Sequence, residues 1–384
     1  MTAPRVLHIV ENLDRGAVEN WLVRMLRHAR ASGQAPDWTF YCALGRPGAL
    51  DDEARALGAR ILYSPVTVSR KFAFARALRD EIRQGRYDVI HAHHDLVSGL
   101  YMAAAAGLPP ALRLVHAHNA DEIVLTPNPL KQALLRGPLR RMGLAMADRV
   151  VGISNHTLDT YLAGRPRRAG RDIVHYYGVD AAPFRDIAVD RRAFRHALGL
   201  ADDALILLFG GRLVPEKNPA FALDVLAALR AREPRAVLVY AGAGSEEAAI
   251  APRAAALGVA DSVRLLGWRG DLPYVMAHAD WFILPRPEHP MEGFGLAVVE
   301  AQLAGLRMLL SRGIPDDPLL PTASYRRLGL TEDPKAWAEA AVALLNERAP
   351  SREAALAALA RSPFDMDTAL AQLNQLHTNQ LHTA

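Results

Sequence analysis

The chain predicts an α/β fold built as two doubly wound parallel-sheet domains, and three observations carry that expectation. Short apolar, β-rich runs alternate with stretches of helical spacing along the whole sequence; the alternation is interrupted near its middle by glycine, proline and mixed charge; and 384 residues exceed what one hydrophobic core ordinarily organises. With 51% hydrophobic and 22% charged residues the composition is that of an ordinary globular protein, which excludes a disordered chain. Ligands of such sheets bind beyond the carboxyl ends of the strands, so with two sheets facing each other the site is expected in the cleft between domains.

In the first half, residues 5–10, 39–43, 89–92, 112–117, 149–153 and 173–177 read as strands, and 18–31, 74–83 and 96–106 carry helical spacing between them. Strand-helix alternation of this kind implies right-handed crossovers. Lys131, Arg136, Arg140 and Arg141 among Leu130, Leu134, Leu135, Leu139 and Met142 read as a basic amphipathic helix that Pro138 is expected to break or kink. The linker falls around 178–190. Beyond it, strands are expected at 205–210, 236–241, 263–267, 281–285 and 307–311, and helices near 219–231, 246–257, 272–278, 295–304 and 335–345. A second crossing is placed near Pro363, before a helix at 367–377. The expected divisions are residues 1–183, 184–362 and 363–384.

Two segments carry chemistry. Glu292-Gly293-Phe294-Gly295 followed by Glu300 sets two carboxylates eight positions apart across a glycine-rich turn that opens a helix. Gly293 and Gly295 let the backbone approach a ligand, and the free N–H groups of the helix start favour an anion. A sugar nucleotide uses both, carboxylates for its hydroxyls and amides for its phosphates. Acids at a helix N-terminus are also common caps, so this loop alone leaves a structural reading open. The second segment, Gly210-Gly211-Arg212-Leu213-Val214-Pro215-Glu216-Lys217-Asn218, leaves an apolar run and precedes a helical pattern. Arg212 and Lys217 are cations suited to neutralising a departing diphosphate.

On these residues the chain resembles the retaining, nucleotide-sugar-dependent glycosyltransferases of the GT-B architecture, of the family 4 type that builds bacterial exopolysaccharides and lipid-linked glycans. The likeness runs the whole length. Val6-Leu7-His8-Ile9-Val10 followed by Asp14-Arg15-Gly16-Ala17-Val18-Glu19 is similar to the family's first strand and Gly-Gly-x-Glu loop; 88–98 and His116-Ala117-His118-Asn119 resemble its exopolysaccharide members; Gly178-Val179-Asp180 resembles the segment before its linker. The resemblance implies two Rossmann-like domains facing across a cleft, an N-terminal one for the acceptor, a C-terminal one for the donor, and a last helix returning to the first domain. Ala17-Val18 departs from the family loop, Tyr177 stands where asparagine is usual, and Glu288-His289-Pro290-Met291 adds a second acid before the key loop.

The resemblance also implies roles. His118 contacts the donor sugar near the reacting centre, Arg212 and Lys217 stabilise the leaving diphosphate, and Glu292 holds donor-sugar hydroxyls; these four are the expected catalytic residues. Glu300 takes the ribose, and Gly16, Gly211, Gly244, Trp268, Arg269, Gly293, Phe294, Gly295 and Leu296 complete the donor contacts, with Trp268 either stacking on the base or covering the domain's edge. Glu19, Asn119 and Asp121 are expected on the acceptor side. Two acids eight apart also suit a glycosidase-like nucleophile and acid pair, but the ribose role of Glu300 in the family favours front-face attack with retention. No metal or cofactor is expected, the cations and the amides at the Gly16 and Gly295 turns taking the metal's place. A nucleotide-sugar epimerase of the same fold and a non-catalytic sugar-nucleotide-binding partner are the alternatives.

Other signals are discounted. Gly242-Ala243-Gly244-Ser245 lacks the third glycine of a dinucleotide loop, and Asp365-Met366-Asp367 follows Pro363 as a helix cap would. His91, His93 and His94 suggest zinc, but with no cysteine or spaced second pair to complete a set they are expected to line the cleft or satisfy core hydrogen bonds. Cys42, the single cysteine, is expected as core filling. The N-terminus enters a strand-like run without an apolar signal region, which gives a cytoplasmic expectation. Residues 1–185 carry 25 Lys and Arg against 17 Asp and Glu, so the first half is the basic one. That charge suits an anionic membrane surface or an acidic, lipid-linked glycan acceptor, and no nucleic-acid partner is expected.

Overall fold

The computed structural model describes residues 3–14, 16–109, 111–120 and 128–378. The chain forms two compact units, Met1–Gly178 with Met366–Ala384, and Val179–Asp365.

In the N-terminal unit the order is β1 (Arg5–Val10), α1 (Ala17–Ala31), β2 (Asp37–Cys42), α2 (Asp51–Ala56), β3 (Arg60–Tyr63), α3 (Lys71–Gly85), β4 (Val89–Ala92), α4 (Ser98–Ala105), β5 (Leu112–Ala117), α5 (Pro129–Met146), β6 (Arg149–Gly152), α6 (Asn155–Leu162) and β7 (Asp172–Val174). The seven strands pair in parallel in the order β3-β2-β1-β4-β5-β6-β7. Alternation along each strand divides the residues between two faces. Leu7, Ile9, Ile90, Val115 and Val150 join Phe74, Leu78, Tyr101 and Leu158 in an apolar core. The opposite face carries His8, in register with His91, and is covered by Trp21 of α1.

The sequence misses α2, β3 and α6 because each is short, and β3 is half exposed along its length. The strand expected at 173–177 ends at Val174. Pro138 does not break α5, which runs through it. The carbonyl that Pro138 leaves without a donor belongs to Leu134, whose residue is 66% exposed, so water can satisfy it. Asn128 starts this helix by accepting from the N–H groups of Leu130 and Lys131 at 3.0 and 3.2 Å.

The C-terminal unit follows with α7 (Ala182–Arg185), α8 (Arg191–Ala197), β8 (Leu205–Gly210), α9 (Pro219–Arg230), β9 (Ala236–Ala241), α10 (Glu247–Ala256), β10 (Val263–Leu265), α11 (Leu272–Ala277), β11 (Trp281–Leu284), α12 (Leu296–Leu303), β12 (Arg307–Ser311), β13 (Tyr325–Leu328), α13 (Pro334–Leu345) and α14 (Arg352–Leu359). Its six strands are parallel in the order β10-β9-β8-β11-β12-β13. Phe209, Leu226, Tyr240, Trp281, Leu309 and Trp337 fill its core. The indole of Trp281 donates to the Ala341 carbonyl at 2.9 Å, which removes the cost of burying that N–H. Strand β13 gave no apolar signal because Arg326 and Arg327 occupy half of it. The last helix, α15 (Met366–Leu376), belongs to the N-terminal unit, where its Asp367 meets His28 of α1 at 2.6 Å. Among the described residues no helix is long and apolar enough to cross a membrane.

Candidate active site

In the C-terminal sheet the strand order reverses between β8 and β11, so the loops leaving these neighbours turn to opposite faces and open a crevice at their carboxyl ends. Both loops deliver charge there. Lys217 Nζ, from the loop after β8, donates to Glu292 Oε2 at 2.6 Å, and Arg286 Nη1, from the loop after β11, lies 3.3 Å from the same oxygen. The Lys217 and Glu292 side chains are each 15% exposed. Burial acts to raise the Glu292 pKa, but Lys217 and Arg286, with Arg212 behind them, outweigh it and hold the carboxyl below its ordinary range. Glu292 is therefore an anion set among three cations, each of which can also face a phosphate.

The surrounding backbone fixes this geometry. Gly211 N–H donates to the Ala241 carbonyl and Leu213 N–H to that of Ala243, both at 3.0 Å, tying the first loop to the turn that contains Gly244. Arg286 Nε donates to the Pro290 carbonyl at 3.1 Å, Ser311 Oγ to the Arg286 carbonyl at 2.5 Å, and Glu292 N–H to the Gly313 carbonyl at 2.8 Å. Gly295 opens α12 with φ of 95°, a conformation that penalises any side chain. Phe294 turns into the core against Phe364, with ring centroids 5.3 Å apart, which leaves the backbone of 293–296 at the helix start. Glu300 lies half-buried one turn further along α12, and Leu296 is its first residue. Arg212 is exposed. Trp268 and Arg269 follow β10, the edge strand that β9 separates from β8; Trp268 is 64% exposed and Arg269 pairs with Asp271 at 2.7 Å.

The N-terminal sheet reverses between β1 and β4. There Glu11 meets His94 Nε2 at 2.8 Å, and His94 Nδ1 pairs with the Tyr101 hydroxyl at 2.7 Å. Burial pushes Glu19 up to about 7, and the nearby Glu11 and Asp14 carboxylates push the same way. The Glu19 carboxylate folds back over Gly16, where a Cβ would lie 2.1 Å from Oε2, so a side chain at position 16 would displace it. Asn119 is pinned on Asp95, its N–H at 3.1 Å and its Nδ2 at 2.7 Å, and the His118 N–H donates to the same carboxylate at 2.7 Å. Both ring nitrogens of His118 are occupied: Nδ1 by the Tyr177 hydroxyl at 2.8 Å and Nε2 by His93 Nδ1 at 3.0 Å. Burial lowers its pKa to about 3, and His175 adds to the effect. Asp121 lies outside the described residues.

The expectation that no second pair completes a histidine set is corrected here. His91 and His93 sit beside His116 and His118 on one face, joined by His8 from β1, His175 after β7 and His377 after α15, all buried. His8 Nδ1 faces His93 Nε2 at 3.0 Å, while His91 joins His377 at 2.9 Å and His116 at 3.2 Å. The signal that reveals this set is the His-x-His repeat on two neighbouring strands, with His8 of a third strand in register.

Comparison with known proteins agrees with this architecture. Residues 18–182 match the family described as Glycosyltransferase Family 4, and residues 190–356 match Glycosyl transferases group 1. The putative glycosyltransferase EpsF of Bacillus subtilis is 30% identical over 370 residues, covering 94% of this chain and 93% of EpsF. The D-inositol 3-phosphate glycosyltransferase of Streptomyces scabiei is 31% identical over 335 residues, covering 78% of this chain and 70% of its own. Among solved structures, Anabaena HepE in complex with UDP superposes with a TM-score of 0.75 at 18% identity, over 97% of this chain and 98% of HepE. Sucrose-phosphate synthase from Thermosynechococcus elongatus gives 0.73 at 18% identity, over 97% and 98%. The EpsF likeness spans nearly all of both chains, the two family matches divide it as the two sheets do, and the chain therefore belongs to the group 1, family 4 glycosyltransferases of GT-B fold.

Proposed function

We propose that the protein transfers a glycosyl group from a nucleoside diphosphate sugar to an acceptor hydroxyl with retention of anomeric configuration. The observation that carries the reading is the Glu292 carboxylate set among Lys217, Arg286 and Arg212 at the reversal point of the C-terminal sheet. As the bond from the anomeric carbon to the diphosphate oxygen breaks, negative charge grows on the diphosphate, where Arg212 and Lys217 stabilise it. Glu292 accepts hydrogen bonds from donor-sugar hydroxyls, and Glu300 accepts from the ribose. The acceptor oxygen attacks from the face that the diphosphate leaves, and its proton passes to a diphosphate oxygen. His118 reaches the donor sugar by exchanging its bond to Tyr177 or His93 for one to the substrate. The Gly295 turn supplies amides to the phosphates beside Arg212 and Lys217, so the diphosphate needs no divalent ion.

HepE has been solved with UDP and with UDP-glucose, and a mannosyltransferase relative from Mycobacterium tuberculosis is named for GDP-mannose, so these proteins support a nucleotide-sugar donor without singling out its base. A thermal-shift screen against UDP-, GDP- and ADP-sugars tests the donor reading, since a ligand of the folded state alone raises Tm by mass action. One nucleotude class is expected to give a shift of several degrees, and the same shift with EDTA as with Mg²⁺. Absence of a shift with every donor overturns the donor reading, and a shift that appears only with Mg²⁺ overturns metal independence.

For the acceptor, the reading is a lipid-linked or polysaccharide intermediate of surface glycan synthesis, met at the cytoplasmic face of the membrane. Leu130 and Leu134 are 68% and 66% exposed on α5 beside Lys131, and Phe72 is 95% exposed next to Arg70 and Lys71. Apolar side chains flanked by cations suit an anionic bilayer surface. The protein is expected to co-sediment with phosphatidylglycerol vesicles and to lose that binding in L130S/L134S; equal sedimentation of the variant would refute this surface.

A further inference from the structure

We propose that the N-terminal unit holds a transition-metal ion among His8, His91 and His93. Each offers a ring nitrogen, and the three nitrogens lie within 4.8 Å of one another. His8 and His91 are register partners on adjacent strands, and His93 follows His91 by two residues, which puts all three on one face. His8 Nδ1 and His93 Nε2 are 3.0 Å apart, while ligands about 2.0–2.1 Å from a tetrahedral zinc lie roughly 3.3 Å from each other. A shift of a few tenths of an ångström opens that pair to ligand spacing, and His91 closes on it from the side.

The neighbouring groups suit coordination. A metal-bound imidazole ordinarily donates its other N–H to a fixed acceptor. With His93 Nε2 on the ion, its Nδ1–H donates to His118 Nε2 at 3.0 Å. That bond leaves the His118 proton on Nδ1, facing the Tyr177 hydroxyl. His91 keeps whichever of its bonds to His377 or His116 the ion does not replace, at 2.9 or 3.2 Å. A second triad, His93, His116 and His118, meets the same distance criterion, but it would take His118 out of the chain that ends on Tyr177. Among the described residues, Nε2 of His8 and Nε2 of His116 are buried without a hydrogen-bond partner and stay so with the ion on His8 Nδ1, so the ligand spacing and the His93–His118 bond are what support the site. A set of neutral nitrogens selects Zn²⁺, Co²⁺, Ni²⁺ or Cu²⁺ over the oxygen-seeking Mg²⁺ and Ca²⁺.

The proposal is independent of the donor reading, and its failure would leave that reading standing. The test uses the full chain without a histidine tag, incubated with ZnSO₄ or CoCl₂ and freed of loose ions by gel filtration. Elemental analysis is expected to find one ion per chain, Co²⁺ to give the visible bands of tetrahedral coordination, and zinc to raise Tm by about 5 °C when present at about a hundredfold excess over Kd. His8→Gln and His91→Gln are expected to lose the ion. His196→Gln, which alters a histidine exposed in the C-terminal unit and paired with Asp202, is expected to keep it. Retention by both cluster variants, loss in His196→Gln, or less than about a tenth of an ion per wild-type chain would overturn the site. The wild-type stoichiometry and Co²⁺ spectrum decide the matter even where a cluster variant does not fold.

Discussion

Lys217→Met is expected to lower kcat by roughly 10²- to 10³-fold with the nucleotide sugar that stabilises the protein, because it removes a charge placed where the diphosphate becomes an anion. Glu292→Gln is expected to cost a similar factor by weakening the bonds to donor-sugar hydroxyls. The two side chains touch at 2.6 Å, so their effects are not independent: the double variant is expected to be at least about tenfold more active than the product of the single losses. Folding should survive in each case. After Lys217→Met the carboxylate still meets Arg286 at 3.3 Å, and after Glu292→Gln the amide oxygen still accepts from Lys217, which limits the loss to about 1–3 kcal/mol rather than the larger cost of an unpaired buried charge. Steady-state kinetics with circular dichroism as the folding control checks this. Activity within threefold of wild type in either single variant would remove Lys217 and Glu292 from the site.

How far this site could be read from the sequence differs between the two units. The Lys217–Glu292 pair joins residues 75 positions apart, yet both segments were legible because each combines a strand end, a glycine turn and a charge. Arg286 was not, since it stands in a Pro-Arg-Pro run with no helix or glycine pattern to mark it, and only the bonds to Pro290 and Ser311 bring it to Glu292. The two-sheet plan was legible because the central strands are continuous apolar runs, as strands buried on both faces must be. The elements missed are β3 and β13, at the sheet edges, and α2, α6, α7, α8 and α14, which are too short to show a period. The histidine cluster escaped for another reason. Its members come from β1, β4 and β5, from the residues just after β4, β5 and β7, and from the residue after the last helix, and register between strands is a property of the sheet that no single segment encodes.

That cluster carries the second large prediction, acid unfolding of the N-terminal unit in metal-free protein. Burial drives His118 and His377 down to about 3 and His175 to about 4, from an ordinary value of 6.5, and lowers His8, His91, His93 and His116 well below it. Between about 4 and 6.5 the unfolded chain therefore binds more protons than the folded one. The stability these seven groups contribute is complete above pH 6.5 and is lost as the pH falls through that window. All seven shifts point the same way, so their effects on stability reinforce one another as the pH falls below 6.5. Glu19 opposes this, because its folded pKa near 7 lies above its ordinary 4.5 and folding then takes up a proton as the pH falls. It is one carboxyl against seven imidazoles and offsets only a fraction of the loss. In EDTA-treated protein, hydrogen exchange is expected to show peptides from β4 and β5 losing protection between about pH 6 and 4.5, while those from β8 and β9, in the unit that holds none of the seven, keep theirs. Protection of β4 and β5 that persists below about pH 4 would mean that these histidines are charged or solvated in the folded protein, and simultaneous loss from both sheets would mean that another titration drives the transition.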